Sequence, residues 1–409
     1  MEGKNNKPAL RFQGYTDEWE QRRLGEVSAS YSGGTPLVGK SEYYGGMIPF
    51  IRSGEIGKDH TELFITDEGL TNSSAAMVDV GDILYALYGA TSGEVSRSKV
   101  KGAINQAILA ILPLSGYDAE FLMQCLRMKK KAIVDTFLQG GQGNLSGEIV
   151  KNLAIDIPIH EEQVRIAQVL AALDRLIALH QRKCDQLVNV KKSMLRKMFP
   201  QNGQKVPEIR FGGFTGEWEQ RELGKAIKEF YNGQTPSRQN KEYWDGTINW
   251  LSSGDLNRGI VNHTLEKITE KGRQSAGLRI MPKETMVIAI MGLEAAGTRG
   301  NCGILGIEST INQACMALVA DENVLSTEFL FQWYQCFGDD YALKITQGTK
   351  QQNYNSELLG RLSISYPSIT EQKAIGRFLS SVDSLISLHM QKLEILKNIK
   401  KSILDKMFV

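Results

Sequence analysis

The chain has 409 residues, of which 42% are hydrophobic and 23% are charged, and its formal net charge is +2. This length predicts two or three domains, each with its own core. No apolar run approaches the roughly 18 residues of a transmembrane helix and no signal-peptide pattern is present, so we expect a cytoplasmic protein without a membrane partner. A net charge near zero gives no general signal for nucleic acid, and any such interface would have to be local.

The five cysteines are scattered, and no cysteine or histidine pair has the spacing of metal ligands. We expect the cysteines to be buried thiols in a reducing compartment. The sequence contains no Asn/Asp-Pro-Pro-aromatic motif of the kind that amino-methyltransferases use, and its five histidines are isolated. No catalytic residue, metal site or cofactor site is therefore predicted in this chain.

Residues 1–158 are predicted to form a first, β-rich module. The segments 80–87 and 107–112 are short apolar runs bounded by glycine and polar residues, which is typical of strands. Residues 117–138 carry apolar side chains at steps of three and four, which predicts a helix. Glycine-containing loops connect these elements, and binding residues usually lie on such loops.

Residues 159–200 are predicted to form one long helix. Neither glycine nor proline occurs between positions 162 and 199, and apolar residues recur in the heptad-like steps of a coiled coil. At about 1.5 Å per residue such a helix is about 55 Å long. His180 occupies a seam position, where a polar residue would fix the register. The other predicted seam residues are Ile166, Leu170, Leu173, Ile177, Cys184, Leu187, Met194 and Met198.

Residues 201–409 repeat this organisation. The second module, residues 201–367, has matching strand candidates at 285–291 and 314–319 and a matching helix at 326–345. A second long helix, residues 368–409, has seam residues at Ile375, Leu379, Val382, Ile386, His389 and Leu393. The helices also match off the seam, since Leu176-Ile177 and Leu179-His180 return as Leu385-Ile386 and Leu388-His389. Between their shared motifs the modules differ freely, so they share a frame and present different surfaces.

The order of these elements predicts how the helices pair. The second helix starts where the second module ends, so it must run antiparallel to the first helix to bury its seam. The predicted fold is α+β, with two similar β-rich modules separated by a pair of long antiparallel coiled-coil helices in a pseudo-two-fold dumbbell. The modules would then lie about 50 Å apart. This spacing suits a long periodic ligand such as B-DNA, whose turn is about 34–36 Å.

The shared motifs, taken in order, resemble those of the specificity subunit of type I restriction–modification enzymes. They are the EWEQR entry, GGTP and GQTP at 33–36 and 233–236, SGEI and SGDL at 53–56 and 253–256, INQA at 104–107 and 311–314, the QG…N loop, and the EEQ and TEQ helix starts. The resemblance implies a non-catalytic subunit whose modules are target-recognition domains. Each domain would bind one half of an asymmetric bipartite site in double-stranded DNA.

The same resemblance implies a larger assembly. The helices would set the spacing between the half-sites and dock two methyltransferase subunits, and motor–nuclease subunits would join through these. The complete complex would be a site-specific endonuclease and adenine methyltransferase. S-adenosylmethionine, ATP and Mg are expected on the partner subunits and not on this chain.

Arginine and lysine on loops suit guanine, and asparagine and glutamine suit adenine. The candidate DNA-binding residues of the first module are Lys40, Arg52, Ser53, Arg97, Lys99, Gln142 and Asn144. Those of the second module are Arg238, Ser252, Ser253, Arg273, Arg299, Lys350, Gln352 and Asn353. For each of them, a solvated surface residue or a phosphate contact is the alternative. Trp19 and Trp218 belong to the shared frame, and we expect them in the core.

Two other functions stay open from the residues alone. The segment GTPLVGKS at 34–41 satisfies the P-loop pattern of nucleotide hydrolases. A working P-loop also needs a helix that starts at Lys40, which Gly45, Gly46 and Pro49 disfavour, and the second module lacks the pattern. Alternatively, the chain is a coiled-coil scaffold whose modules bind protein and not DNA.

Overall fold

The computed structural model describes residues 7–138, 144–201, 203–292, 298–348 and 353–409. The chain divides into two compact units, the first made of Met1–His180 with Lys392–Val409 and the second of Gln181–Gln391. Both unit boundaries fall inside a long helix, so each unit contains one module and a segment of each long helix. In the described part of the chain, no helix has an apolar stretch sufficient to span a bilayer. The residue boundaries that the sequence predicts for the two modules and the two long helices remain predictions.

The described part of the first module alternates short strands with a few helices. Its strands are β1 (Glu20–Arg23), β2 (Ser28–Ser32), β3 (Tyr44–Ile51), β4 (Phe64–Ile65), β5 (Ala76–Val78), β6 (Ile83–Ala86), β7 (Val95–Arg97), β8 (Gly102–Ile104), β9 (Ile108–Pro113) and β10 (Ala154–Ile157). Its α-helices are α1 (Leu24–Val27), α2 (Asp67–Thr71), α3 (Ala119–Phe137) and α4 (Gly147–Lys151), with 3-10 turns at Ser41–Tyr43, Ser53–Glu55 and Gly89–Thr91. The long helix α5 (His160–Met198) follows.

The second module repeats this order in its described residues. Its strands are β11 (Glu219–Glu222), β12 (Ile227–Asn232), β13 (Trp244–Leu251), β14 (Ile260–Val261), β15 (Glu266–Ile268), β16 (Met286–Ala289), β17 (Cys302–Leu305), β18 (Thr310–Ile311), β19 (Cys315–Ala320) and β20 (Ser363–Tyr366). Its α-helices are α6 (Glu270–Ser275), α7 (Thr327–Gly348) and α8 (Ser356–Gly360), with 3-10 turns at Leu223–Lys225, Lys241–Tyr243 and Ser253–Asp255. The long helix α9 (Ile369–Met407) ends the chain.

Each module contains two larger sheets and a third sheet of two strands. In the first module the sheet orders are β2-β9-β6-β7, β4-β3-β8-β5 and β1-β10. In the second they are β12-β19-β16-β17-β14, β15-β13-β18 and β11-β20. The strands predicted around 80–87, 107–112, 285–291 and 314–319 are confirmed as β6, β9, β16 and β19, and the helices predicted at 117–138 and 326–345 are confirmed as α3 and α7.

The central strands are apolar along their whole length because both of their faces are covered. In β6, Ile83 and Tyr85 pack with Phe121 of α3, whereas Leu84 points to the other face and packs with residues of the second sheet such as Ile51. Strand β16 shows the same alternation, with Met286 and Ile288 in one cluster and Val287 and Ala289 in another. The predicted short apolar runs thus correspond to strands between two apolar layers.

Helix α5 begins where a pair of shared residues ties it to the first module. Glu162 is buried and accepts hydrogen bonds at 2.7 and 2.8 Å from the Arg11 guanidinium. The next residue, Gln163, accepts from the Asp118 backbone N–H at 2.9 Å and donates to the Pro158 carbonyl at 2.9 Å. The same bonds recur at the start of α9 between Glu371 and Arg210, Gln372 and Ser326, and Gln372 and Pro367. The repeated EEQ and TEQ motifs are therefore structural.

Within each unit, the segments of α5 and α9 run antiparallel, as predicted. In the first unit Asp174 of α5 accepts a 2.6 Å hydrogen bond from Lys400 of α9, while the earlier residue Ile166 shares a core cluster with the later residue Met407. Asp174 also accepts from Gln124 of α3 at 2.9 Å, so this carboxylate joins both helices to the module. The second unit repeats the arrangement with Lys191, Asp383 and Gln332.

The predicted seam residues differ in their surroundings. The first two of each helix lie in the cores of the modules, which is a stronger burial than a two-helix seam provides: Ile166, Leu170, Ile375 and Leu379. Val382 and Leu393 are also buried. Cys184, Met198 and Met407 are buried as well. Six other predicted seam residues are half-buried: Leu173, Ile177, His180, Leu187, Ile386 and His389. The coiled-coil pattern thus includes residues that serve the modules themselves.

The ends of the long helices complete the modules' aromatic cores. In the first unit Phe408 packs on Trp19, with ring centroids 5.9 Å apart, and on Phe121, with centroids 5.5 Å apart. In the second unit Phe199 packs in the same way against Trp218 and Phe329. Both tryptophans are buried, which confirms their predicted place in the frame.

Replacing Phe408 by alanine should loosen the first module, because the cavity would lie between Trp19 and Phe121. We expect Phe408→Ala to lower the stability of α3 against opening by about 3–5 kcal/mol. Hydrogen–deuterium exchange of the segment Ala119–Phe137 measures this quantity for the module directly. The neighbouring exposed residue provides the control, and Val409→Ala should change the same protection by no more than about 0.5 kcal/mol. Unaltered exchange in Phe408→Ala would show that the helix end is dispensable.

Candidate nucleic-acid interface

The shared motifs contact one another and hold a surface turn in each module. The GGTP turn follows β2 and lies against the INQA turn between β8 and β9, where the Thr35 hydroxyl is 2.6 Å from the Gln106 side-chain oxygen. Gly33 approaches so closely that a Cβ atom there would lie 1.8 Å from the Ile104 carbonyl oxygen. In the second module Thr235 bonds Gln313, and a Cβ at Gly233 would lie 1.8 Å from the Ile311 carbonyl oxygen. Glycine is therefore required at this position in both modules.

Lys40 lies at the end of this turn, half exposed, with Nζ 3.2 Å from the Tyr43 hydroxyl and 5.0 Å from the centre of its ring. The structure excludes a P-loop here, because Lys40 is followed by a 3-10 turn of three residues (Ser41–Tyr43) and then by β3. A phosphate-binding loop requires an α-helix at that point. Lys40 stays a DNA-binding candidate, and nucleotide hydrolysis through residues 34–41 is ruled out on geometry.

The equivalent turn of the second module presents Arg238. Its guanidinium lies 3.7 Å from the centre of the Trp244 ring and 5.1 Å from that of Trp250. Both terminal nitrogens, Nη1 and Nη2, donate to the carboxylate of Glu266. Hydrogen bonds to Glu266 raise the pKa of Arg238 and lower that of Glu266, so the pair stays ionised. This candidate is held in one orientation by a carboxylate and an aromatic face.

Arg52 and Ser53 begin the 3-10 turn that the SGEI motif forms. Arg52 donates to Glu55 at 2.7 Å and to Glu62 at 2.7 Å. Burial alone would raise the pKa of Glu55, but hydrogen bonds from the Arg52 side chain and backbone, the Glu62 backbone and the Thr61 hydroxyl outweigh it and lower the pKa to about 2. The ionised Glu55 carboxylate thereby accepts the hydrogen bonds that hold the turn together.

The second module closes the equivalent turn without an arginine. Ser252 donates to Asp255 from both its backbone nitrogen and its hydroxyl, each at 2.7 Å. Ser253 is half-buried at the start of the turn. The turn is therefore part of the shared frame, and the side chain that it exposes differs between the modules.

Two further arginine candidates are bonded within the protein. Arg97, on β7, donates from Nε to the Gly81 carbonyl at 2.9 Å. Arg273, in α6, is paired with Glu270 and donates to the Leu278 carbonyl at 2.8 Å. Both bonds have structural roles, and both residues stay untested as DNA contacts.

The remaining candidates differ in their exposure. Lys99 is exposed beyond the end of β7. Arg299 is half-buried, and its carbonyl accepts from Arg258 at 2.9 Å. Asn144 is exposed and forms an isolated bridge with Tyr88. Asn353 is exposed, while the predicted residues Gln142, Lys350 and Gln352 lie outside the described part of the chain.

The described residues contain no cluster of three or more histidine, cysteine or acidic side chains that could hold a metal ion. Four cysteines are buried and Cys336 is half-buried, and all five are free thiols, which agrees with the predicted buried thiols. Burial raises the pKa of Cys302 to about 12 and that of Cys336 to about 11. These thiols are therefore protonated at neutral pH and poor nucleophiles.

Sequence reasoning missed the carboxylates that hold these arginines. Glu266 is 28 positions from Arg238, and only the pairing of β13 with β15 brings the two together. A weak signal existed for the surrounding frame, since His60-Thr61…Ile65-Thr66 returns as His263-Thr264…Ile268-Thr269. Thr66 and Thr269 each cap the short helix that follows, α2 or α6.

Comparison with known proteins gives one consistent family. The model of the type I restriction modification DNA specificity domain matches the chain twice, over residues 16–189 and 215–398. The specificity subunit of the type I restriction enzyme MjaVIII of Methanocaldococcus jannaschii is 21% identical over 399 residues, which cover 95% of this chain and 92% of that protein. The EcoR124I/EcoR124II specificity subunit of Escherichia coli is 28% identical over 173 residues, 42% of each chain.

The fold itself is shared with a solved structure. The crystal structure of the type I restriction–modification S subunit from M. genitalium superposes with a TM-score of 0.71 at 16% sequence identity. The alignment covers 98% of this chain and 99% of that one. The α+β fold with two repeated modules and long helices is thus confirmed.

The buried carboxylate of Glu55 should make the first module sensitive to acid. Its folded-state pKa is about 2, below the ordinary 4.5, so its ionised form stabilises the module above about pH 4.5 and this stabilisation is lost as the pH falls toward 2. We expect Glu55→Gln to lower the melting temperature most at neutral pH, with the difference from wild type shrinking through that window. Melting followed by circular dichroism measures it, with the exposed Glu62→Gln as control. A difference that is constant with pH would contradict the assignment.

Proposed function

Because the chain belongs to the family of type I restriction–modification DNA specificity subunits, with two target-recognition domains, we propose that each module binds one half of a bipartite sequence in double-stranded DNA. The two half-sites differ, and the long helices set the distance between them. Methyltransferase subunits dock on those helices, and motor–nuclease subunits join through them. The adenine methylation and DNA cleavage belong to these partners, which bind S-adenosylmethionine, ATP and Mg.

The observation that supports two different half-sites is the contrast between frame and surface. The buried or bonded residues of the shared motifs make the same contacts in both modules, as Thr35–Gln106 and Thr235–Gln313 do. Several solvent-accessible residues on the same turns differ. Equivalent positions hold Val38 and Arg238, Lys40 and Asn240, and Arg52 and Ser252. Since base edges are distinguished by donor, acceptor and methyl patterns, these exchanges would select different bases.

A different observation supports docking on the helices. Leu176 and Leu179 in the first unit, and Leu385 and Leu388 in the second, are identical in the two helices and are between 43% and 55% exposed. Other repeated apolar residues, such as Trp19 with Trp218 and Phe121 with Phe329, pack in the cores, where repetition has a structural reason. Exposed leucines at repeated positions instead suit a pair of equivalent protein partners. Two methyltransferase subunits match this number.

The decisive experiment maps modified adenines in DNA from cells that express the chain with its methyltransferase. We expect one asymmetric bipartite motif with a gap of constant length, because both half-sites must be bound by the two modules of one chain. Replacing residues 1–158 with the first module of another family member should change one half of the motif and keep both the other half and the gap. Methylation without a bipartite motif would support the alternative that the chain is a scaffold for protein partners. DNA binding in a gel shift that does not depend on the gap length would also contradict the DNA-specificity function.

The docking surface can be tested separately with Leu385→Glu combined with Leu388→Glu. Two carboxylates buried in an interface without partners should weaken the methyltransferase complex by more than about tenfold. Analytical ultracentrifugation of the mixed subunits measures the affinity. The control is Leu265→Glu, which changes an equally apolar side chain that is 79% exposed on the second module. Equal affinity for both variants would place the docking surface elsewhere.

A further inference from the structure

The turn that carries Arg238 is held in place by two tryptophan side chains. The indole N–H of Trp244 donates to the Ser237 carbonyl at 3.1 Å, and that of Trp250 donates to the Gln234 carbonyl at 3.1 Å. The two rings meet edge to face with centroids 5.1 Å apart. We call Trp244 and Trp250 the aromatic shelf. Their indole N–H groups hold the backbone of the turn at Gln234 and Ser237, and their rings lie against the guanidinium of Arg238.

Arg238 keeps donors for a ligand despite its carboxylate partner. An arginine side chain has five N–H donors, and Glu266 accepts one from Nη1 and one from Nη2. This contact does not use Nε–H, which lies beside a terminal N–H and forms with it a second donor pair. The arginine side chain is 53% exposed and the glutamate side chain 41% exposed, so the pair lies at the surface and not in the core. A planar ligand with two adjacent acceptors matches the remaining pair.

In the first module the equivalent turn forms without the pair of Arg238 and Glu266. There the Tyr44 hydroxyl donates to the Pro36 carbonyl at 2.6 Å, so an aromatic residue at the start of β3 holds the turn in this module too. The position of Arg238 is taken by Val38. The position of Glu266, which pairs with Trp250 across the strands, is taken by Leu63, whose carbonyl accepts from the Phe50 N–H. Arginine and glutamate are thus both replaced by apolar residues, while an aromatic residue at the start of β3 still donates to a carbonyl of the turn, that of Pro36.

We propose that Arg238 binds a guanine edge in the half-site of the second module, with Glu266 and Trp244 as positioning residues. This inference rests on the proposed function. Guanine presents two adjacent acceptors, O6 and N7, in the major groove, and arginine is their usual partner. The stacked and paired guanidinium has lost much of its freedom before DNA binds, which reduces the entropy lost on binding.

The charge of the pair separates this role from a phosphate contact. Arg238 and Glu266 together carry no net charge, so they add little to the sequence-independent attraction of the DNA backbone. A lysine or arginine that contacts phosphate weakens all sequences alike when it is removed and lowers the slope of the salt dependence by about one. Arg238 should instead affect one base pair and leave the salt dependence nearly unchanged.

The test uses the complete complex with its methyltransferase subunits and a library of duplexes randomised within the half-site that module exchange assigns to the second module. In the wild-type complex one position should require a G·C pair. In Arg238→Ala, discrimination against the other base pairs at that position should fall by about tenfold or more, while the first half-site and the salt slope are kept. Arg238→Lys should also lose discrimination, since lysine lacks the planar donor pair.

Glu266→Gln tests positioning, and should relax the same base pair without moving any other. The matched control is Arg279→Ala, because Arg279 is likewise paired with a glutamate, Glu229, and lies 5.0 Å from the Tyr231 ring centre. This variant should keep the motif.

Each remaining outcome overturns the inference. An unchanged motif in Arg238→Ala, a uniform loss with a lower salt slope, a relaxed position that is not G·C, or an equal effect of Arg279→Ala would each do so. The proposed function survives all four, since it fails only if the wild-type complex shows no bipartite motif or binds DNA without regard to the gap length.

Discussion

Each module depends on one aromatic contact that it does not supply itself. The cores around Trp19 and Trp218 are completed by phenylalanines at the ends of the long helices, Phe408 in the first unit and Phe199 in the second. Aromatic side chains bury large areas and are costly to remove from a core. The end of a helix is thereby fixed by the same packing that stabilises a module, and a recognition surface built on that module inherits its rigidity.

The carboxylates of Asp174 and Asp383 also join the long helices to the modules. Burial would raise the pKa of Asp174, but hydrogen bonds from Lys400 and Gln124 lower it below its ordinary value, so the group is ionised where it joins two helices and α3. A half-buried carboxylate that lost one of these partners would be left with unmet hydrogen-bonding capacity. Because the second unit repeats the arrangement with Lys191 and Gln332, the contact specifies an orientation of helix and module and does more than add stability.

Much of this fold could be predicted from the sequence, because its signals are local or repeated. Long helices without proline, apolar strand runs and the antiparallel direction of α9 follow from periodicity and chain order. The structural role of the shared motifs could be suspected from their repetition, but not their contacts. The bond between Thr35 and Gln106 spans 71 positions, and the pair of Arg238 and Glu266 spans 28. Such contacts depend on strand register, which no local pattern specifies. Chemical type therefore predicts the candidate residues but not the groups that orient them.

The separation of frame from surface also determines how base preference can change. The bonds from Thr235 to Gln313 and from Trp244 to the Ser237 carbonyl hold the turn whatever side chain stands at position 238. An arginine alone on that turn would be free to bind any phosphate. Its carboxylate partner cancels the charge and fixes the plane of the guanidinium, which favours the edge of a base over the backbone. On the role proposed for Arg238, a new base preference at this turn involves both side chains of the pair, which are exchanged together between Arg238 with Glu266 and Val38 with Leu63.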